Sequence, residues 1–85
     1  MKTMRCEIIT PEKVFYRDEP EFIVAPGLSG ELGILPGHTR LMADLVPGSV
    51  RLSKGQDRKQ FVISGGFIAI EPTVVKIFAP VVRTE

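Results

Sequence analysis

Three Pro-Gly pairs divide the middle of the chain, and this punctuation restricts the possible folds more than any other feature. The pairs are Pro26-Gly27, Pro36-Gly37 and Pro47-Gly48. Proline sets the first corner of a type I or type II turn, and glycine supplies the positive φ that a type II turn needs at the next position. Turns that recur every ten or eleven residues are typical of an antiparallel β-sandwich or barrel.

The same two residue types exclude long helices. The chain has eight glycines and seven prolines in 85 residues, and its longest stretch without either is residues 1–10. An average helix runs about 11–12 residues and is destabilised by glycine or proline in its interior. The sequence therefore predicts a single all-β domain, an antiparallel β-sandwich of eight or nine short strands with no substantial helix.

Alternation of apolar and polar residues locates the strands between the turns. The predicted strands cover 4–10, 14–17, 22–25, 31–35, 39–46, 49–53, 60–64, 67–71 and 73–79. Segment 22–25 is apolar throughout, as in a strand buried on both faces. Gly65-Gly66 is typical of a two-residue hairpin between its flanking strands, and 54–58 of a polar hairpin tip. The predicted core consists of Phe22, Leu41, Leu45, Val50, Leu52, Phe61, Ile63, Phe67 and Ile77.

Composition narrows the class of protein. A hydrophobic fraction of 44% with 25% charged residues indicates an ordinary globular domain rather than a disordered chain. The net charge of +1 argues against a dedicated nucleic-acid binder, which usually has a basic excess. The single cysteine, Cys6, excludes an internal disulfide, and this favours a reducing cytoplasm. The N-terminus resembles neither a signal nor a transit peptide, so membrane contact is expected only through a partner.

Residue types that perform chemistry are scarce, with one histidine, one cysteine and one tyrosine. Ser29, His38 and Asp44 could in principle form a triad, but they follow no known local signature. One histidine and one cysteine do not supply the four ligands of a zinc site. Segment 27–33 is rich in glycine but lacks the Lys-Ser/Thr ending of a phosphate loop. We therefore expect no catalytic, metal or cofactor site.

Binding by surface loops is the remaining class of function. The acidic segment 18–21 is interpreted as a solvated turn rather than a cation site. The basic residues Arg51, Lys54, Arg58 and Lys59 surround one hairpin without the interleaved aromatics of a nucleic-acid surface. Segment 28–43 places polar groups beside apolar ones on rigid corners, as protein contacts do. Local physics leaves open whether 28–43 is such a contact or only a set of turns.

The segment GELGILPGH, residues 30–38, resembles the signature loop of the epsilon subunit of F-type ATP synthases. Three further segments resemble the same family in its order and spacing. They are TPEK at 10–13, PGSVR at 47–51 and FVISGGF at 61–67. The resemblance covers essentially all of residues 1–85. It implies a flattened sandwich of about ten strands, so together with the eight or nine strands predicted from the turns we expect eight to ten.

The resemblance also implies a function and a set of contact residues. Family members are non-catalytic rotor subunits of the central stalk, bind the gamma subunit and the membrane c ring, and help to couple ion-driven rotation to ATP synthesis. Carried over by position, the contact with the c ring falls on Ser29, Gly30 and Glu31. The contact with gamma falls on Thr10, His38, Thr39, Arg40, Met42 and Ala43. A carboxylate at Glu31 suits the basic side chains of the polar loops of the ring.

Two features depart from the family pattern. Phe15-Tyr16-Arg17 stands where many members have Phe-Ser-Gly, so the bend of this strand is expected to differ. Members usually continue into a C-terminal pair of helices that can inhibit ATP hydrolysis and, in some bacteria, binds ATP. The sequence ends at Glu85, so we expect neither nucleotide binding nor this inhibition. The expected location is the cytoplasmic face of a bacterial membrane, peripheral through the complex.

Two rival interpretations predict different sites. A free-standing sandwich that binds another protein or a carbohydrate would be favoured by a pocket lined by Tyr16 and exposed phenylalanines. An enzyme would need a cleft that brings His38 beside an acidic residue and a nucleophile.

Overall fold

The computed structural model describes residues 2–85, which form ten β-strands and no helix. The strands are β1 (Arg5–Ile9), β2 (Val14–Asp18), β3 (Phe22–Gly27), β4 (Gly30–Ile34), β5 (Leu41–Leu45), β6 (Gly48–Lys54), β7 (Asp57–Ile63), β8 (Gly66–Ile70), β9 (Val74–Phe78) and β10 (Val82–Thr84). The predicted all-β class is confirmed, and nine strands were predicted within three residues of their ends. The tenth, β10, was missed because its three residues follow Pro80 too closely to show alternation.

The strands form two halves of five that share one core. One half has the order β4-β3-β6-β7-β10, the other β5-β8-β9-β1-β2, and the halves join where Leu45 of β5 pairs with Gly27 of β3. A single buried cluster draws side chains from both halves. At the opposite side, Phe61 of β7 contacts Tyr16 of β2 with ring centroids 4.7 Å apart. All pairs are antiparallel, as predicted, except that β1 and β9 run parallel.

Only one Pro-Gly pair forms the predicted turn. At Pro36-Gly37 the N–H of His38 donates to the carbonyl oxygen of Leu35 at 3.3 Å, and the φ of Gly37 is 84°. Pro26-Gly27 instead lies inside β3, and Pro47-Gly48 leads directly into β6. Pro26 is tolerated in β3 because the ladder with β6 ends at the pair of Val24 with Arg51, so no partner there needs its missing N–H. Its carbonyl oxygen accepts the N–H of Val46 at 2.9 Å.

The predicted hairpin at Gly65-Gly66 is wrong. Strand β7 pairs with β6 and β10, whereas β8 pairs with β5 and β9, so this connection crosses from one half to the other. Glycine is required there for a different reason. Gly66 has a φ of 140°, and a Cβ on it would overlap the carbonyl oxygen of Phe78.

Most of the predicted core is buried, but three members are not. Leu45, Val50, Leu52, Phe61, Ile63 and Ile77 belong to the buried cluster. Phe22 and Phe67 are 37% and 39% exposed. Phe67 pairs with Asp44 and Phe78 on the outer face, whereas the next residue, Ile68, points inward and is fully buried. Leu41 lies at the rim, where β5 begins.

Strand β3 is also not buried on both faces. Ile23 and Ala25 are fully buried, whereas Phe22 is exposed and Val24 half-buried, so this segment alternates like its neighbours. An uninterrupted apolar run in the sequence therefore corresponds here to a strand that buries only one of its faces.

Successive strands place their connections at two ends of the sandwich. The five-loop end comprises connections 10–13, 28–29, 46–47, 64–65 and 79–81. The four-loop end comprises connections 19–21, 35–40, 55–56 and 71–73. Within residues 2–85 there is no helix that could cross a membrane.

Candidate interaction surfaces

Ser29, Gly30 and Glu31 lie on the hairpin between β3 and β4. Gly27 pairs with Gly30, so Leu28 and Ser29 form the tip of this hairpin at the five-loop end. Gly30 has a φ of 128°, and no atom would meet a Cβ there within 4 Å. The structure therefore brings the three predicted c-ring residues together on an exposed, tightly turned corner.

The carboxylate of Glu31 is held by Arg51 of β6. The Nη2 of Arg51 donates to both carboxylate oxygens of Glu31, at 3.1 and 3.3 Å. Both side chains are exposed, so the ion pair stabilises the fold by only about 0–1 kcal/mol. Its effect is to orient the carboxylate. No pattern in the sequence predicts this pair, because it depends on β4 and β6 flanking β3 on its two edges.

Three of the predicted gamma contacts meet around Phe67 on the outer face of the other half. The ring of Phe67 stacks on Phe78 with centroids 4.6 Å apart. Thr10 borders an apolar groove of about 310 Å³ whose floor includes both rings. Met42 and Ala43 border an adjoining groove of about 300 Å³ that also includes Phe67. We call Thr10, Met42, Phe67 and Phe78 the Phe67 surface.

The members of this set differ in accessibility. Met42 is exposed and pairs with Ala69 on the outer face. Ala43 is half-buried, lies opposite Ile68 and packs against the core, so its side chain contributes to the groove only at its border. Sequence reasoning missed Phe67 because the alternation of 67–71 was assigned the wrong face.

His38, Thr39 and Arg40 lie apart from these three, at the four-loop end before β5. The N–H of Gly37 donates to the carbonyl oxygen of Pro72 at 2.9 Å, which fixes this connection against the one between β8 and β9. The Nδ1 of His38 lies 2.8 Å from the carbonyl oxygen of Thr39, so this nitrogen carries a proton and donates. The six predicted residues thus extend from the four-loop end along β5 to the five-loop end.

The geometry does not assemble the triad considered from the sequence. Ser29 lies at the five-loop end and His38 at the four-loop end. Among residues 2–85 no three His, Cys, Asp or Glu side chains are grouped to hold a metal ion. Cys6 is fully buried, and this burial raises the pKa of its thiol to about 12.

A larger groove, of about 640 Å³, lies mainly on the half that contains β3, β6 and β7. Its lining includes Tyr16, Phe22, Arg51 and Arg58. The hydroxyl of Tyr16 donates to Asp18 at 2.8 Å, and burial together with this bond raises the pKa of Tyr16 to about 12. The groove therefore has both aromatic and basic groups, although the hydroxyl of Tyr16 is already hydrogen-bonded to Asp18.

Comparison with known proteins identifies the same family over nearly the whole chain. A family profile described as ATP synthase, Delta/Epsilon chain, beta-sandwich domain matches residues 3–84. The ATP synthase epsilon chain of Janthinobacterium sp. (strain Marseille) is 44% identical over 79 residues, which are 91% of this chain and 56% of that protein. That of Desulforamulus reducens is 42% identical over 78 residues, 92% of this chain and 59% of that protein.

Solved structures show the same fold. A chain in the mitochondrial ATP synthase of Euglena gracilis (OSCP, F1 and c ring) superposes with a TM-score of 0.91 at 24% identity, over 99% of this chain and 54% of that one. A chain in the central stalk and c ring of the Tetrahymena thermophila enzyme gives 0.78 at 18% identity, over 98% and 69%. This chain thus spans little more than half the length of the curated relatives that it matches.

Proposed function

Because the chain belongs to the ATP synthase delta/epsilon chain β-sandwich family, we propose that it is a non-catalytic adaptor of the central stalk. In this role it joins the gamma subunit to the c ring and helps to couple ion-driven rotation to ATP synthesis. It lies at the cytoplasmic face of a bacterial membrane and is peripheral to it through the complex.

The observation that carries the proposal is a pair of separate exposed surfaces on one closely packed sandwich. The hairpin with Glu31 lies on the half that contains β3 and β4, and the Phe67 surface lies on the half that contains β5 and β8. A coupling piece must bind two partners at once without deforming. A sandwich whose halves share one buried cluster meets this requirement, because packed interiors resist compression.

The Phe67 surface has the chemistry of a protein contact. Stacked phenylalanine rings and an exposed methionine form an apolar centre. Outer-face residues of the next row, Lys76 and Glu7, supply a polar border on one side. Apolar centres with polar rims are the common anatomy of interfaces, and aromatic residues supply much of their binding energy. We therefore assign gamma to this surface and the c ring to Ser29, Gly30 and Glu31.

Two phenylalanines provide a matched test of the gamma contact. Phe67→Ala is expected to weaken binding of purified gamma at least about tenfold, as at an interface hot spot. Phe22→Ala removes a ring of nearly equal exposure from the other half and is expected to leave binding unchanged. Titration calorimetry gives both affinities, and circular dichroism shows that each variant is folded.

Three outcomes of this titration differ in meaning. Loss of binding in Phe67→Ala alone supports the assignment. Loss in Phe22→Ala alone moves the contact to the other half. If the unmodified chain does not bind gamma, the proposed function is wrong.

As part of the same proposal, the 85-residue polypeptide neither binds nucleotide nor blocks ATP hydrolysis by helix extension. The support is that residues 2–85 form strands and turns only. Hydrolysis by the catalytic head should be equal with and without the polypeptide. A strong block by the polypeptide would contradict this part.

A second candidate is a sandwich module that binds a carbohydrate or another protein in the 640 Å³ groove. One observation favours it, since Tyr16 and the exposed ring of Phe22 line this groove. The bond from Tyr16 to Asp18 and the three nearby basic side chains suit an uncharged sugar poorly. Binding to a glycan array that is lost in Phe22→Ala would favour this candidate.

A further inference from the structure

We propose that the contact with the c ring continues beyond the hairpin across the five-loop end, along an uncharged ridge that reaches Val81. The ridge consists of connections 28–29, 46–47 and 64–65 together with Val81, the last residue of connection 79–81; the residues before it, Ala79 and Pro80, line the groove of the Phe67 surface. This inference rests on the proposed function, because it extends the c-ring contact at Ser29, Gly30 and Glu31.

Backbone hydrogen bonds join the first two connections of the ridge, 28–29 and 46–47. The N–H of Leu28 donates to the carbonyl oxygen of Asp44 at 3.0 Å, and the N–H of Val46 donates to that of Pro26 at 2.9 Å. The hairpin tip and the connection between β5 and β6 therefore form one continuous surface.

The connection 64–65 joins the ridge at Gly65. A Cβ on Gly65 would lie 3.3 Å from the carbonyl oxygen of Leu45 and 3.7 Å from Pro47, so the connection 64–65 packs against 46–47. The N–H of Ser64 donates to the carbonyl oxygen of Val81 at 3.1 Å, and the N–H of Val81 donates back to the Oγ of Ser64 at 3.1 Å. Val81 is thus fixed at the far end of the same ridge.

The ridge exposes apolar side chains and carries no charge. Leu28 and Val81 are 67% and 63% exposed, whereas most leucines, isoleucines and valines of the strands face the core. None of the four connections contains a charged residue. An anionic lipid surface would be attracted by lysine or arginine, so a protein surface suits this ridge better.

The size of a stable interface also favours an extended contact. A stable protein interface buries roughly 800 Å² on each partner, contributed by about 20–30 residues. The hairpin tip with Ser29, Gly30 and Glu31 offers too few residues for this. The ridge continues directly from the hairpin through backbone hydrogen bonds and close packing, so the partner that meets the hairpin, the polar loops of the c ring, meets Val81 as well.

Site-specific crosslinking tests this inference. Single cysteines are introduced as Ser29→Cys, Val81→Cys and Leu35→Cys, each labelled with a benzophenone maleimide. The native Cys6 does not interfere because it is fully buried. Leu35 is the matched control, since it is an apolar residue of similar exposure, 59%, at the four-loop end. Each labelled chain is assembled with gamma and purified c ring in nanodiscs and irradiated.

We expect crosslinks to subunit c from positions 29 and 81 and none from position 35. A crosslink from position 29 without one from position 81 overturns the ridge and leaves the proposed function intact. No crosslink to subunit c from either position contradicts the proposed function as well. A crosslink from position 35 that equals that from position 81 also overturns the ridge.

Affinity for the ring provides a second measurement. Val81→Lys places a positive charge on the ridge, opposite the basic side chains of the polar loops, and is expected to weaken binding to the c ring about tenfold, the effect of losing one significant interface position. Leu35→Lys places the same charge at the four-loop end and is expected to leave that affinity unchanged. Equal affinity of Val81→Lys and the unmodified chain would overturn the extension.

Discussion

Replacing Gly66 with alanine measures how much the free energy of unfolding depends on the close backbone approach at this corner, where the chain crosses from one half to the other. Gly66 and Gly30 have similar backbone angles, with φ of 140° and 128°. Their surroundings differ. A Cβ on Gly30 meets nothing within 4 Å, whereas one on Gly66 overlaps the carbonyl oxygen of Phe78 and lies 3.1 Å from the Cα of Ala79. Gly30→Ala is therefore a control for backbone strain alone.

The expected magnitudes follow from these two terms. A non-glycine residue held at such a φ costs about 1–3 kcal/mol, and this is the whole expected loss for Gly30→Ala. In Gly66→Ala the overlap with Phe78 forces β9 away from β8. Overpacking of this kind costs about 1–3 kcal/mol more. The expected total is about 2–6 kcal/mol, a large part of the roughly 4–13 kcal/mol expected for a domain of this size.

Urea denaturation followed by far-UV circular dichroism measures both variants. The unfolding free energy of Gly66→Ala should fall below that of Gly30→Ala by about 1–3 kcal/mol. Equal unfolding free energies would show that the corner relaxes without strain. In that case the tight approach of β8 to the end of β9 does not stabilise the crossover.

Four further predictions concern the core and its ionisable groups. Phe61→Ala should cost about 3–5 kcal/mol in denaturation, because Phe61 is buried and joins β7 to the ring of Tyr16; a cost below about 1 kcal/mol would contradict this packing. The thiol of Cys6, whose pKa burial raises to about 12, should react with Ellman's reagent at pH 8 only after denaturant is added; rapid reaction of the native chain would refute its burial. Hydrogen bonds from the backbone N–H of Glu19 and then from the hydroxyl of Tyr16 lower the pKa of Asp18. The stability that the Asp18 carboxylate contributes is therefore present above its unfolded pKa and lost as pH falls through its folded pKa. Asp18→Asn should flatten the acid side of the plot of unfolding free energy against pH, and an unchanged slope would contradict this role. The pKa of Tyr16 is raised to about 12, so stability should also fall as pH rises from about 10 towards 12.

The sequence predicted the fold class because turn-forming residues and alternation act locally. Pro36-Gly37 forms its turn within four residues, and Val50 and Leu52 reach the core by simple alternation. The same local rules were wrong where tertiary context decides. Pro47-Gly48 resembles a corner but leads into a strand, and Gly65-Gly66 resembles a hairpin but crosses between the halves.

The candidate surfaces were predicted less completely than the fold. Resemblance to a family supplied Glu31 and Met42, but nothing in the sequence indicated that Arg51 would hold the Glu31 carboxylate. Phe67 was assigned to the core because its segment is apolar on both faces, with Ile68 and Ile70 inside. Contacts between residues far apart in sequence depend on strand order, which the pattern of a single chain does not reveal.

Hydrogen exchange of the chain assembled with gamma and the c ring tests the central claim most directly, namely that one sandwich binds two partners on separate surfaces at the same time. Gamma alone should slow exchange in peptides that contain Met42 and Phe67, and the c ring should slow exchange in the peptide that contains Ser29. With both partners present, both regions should be protected together. Protection of one and the same region by either partner, or displacement of gamma by the ring, would contradict the account.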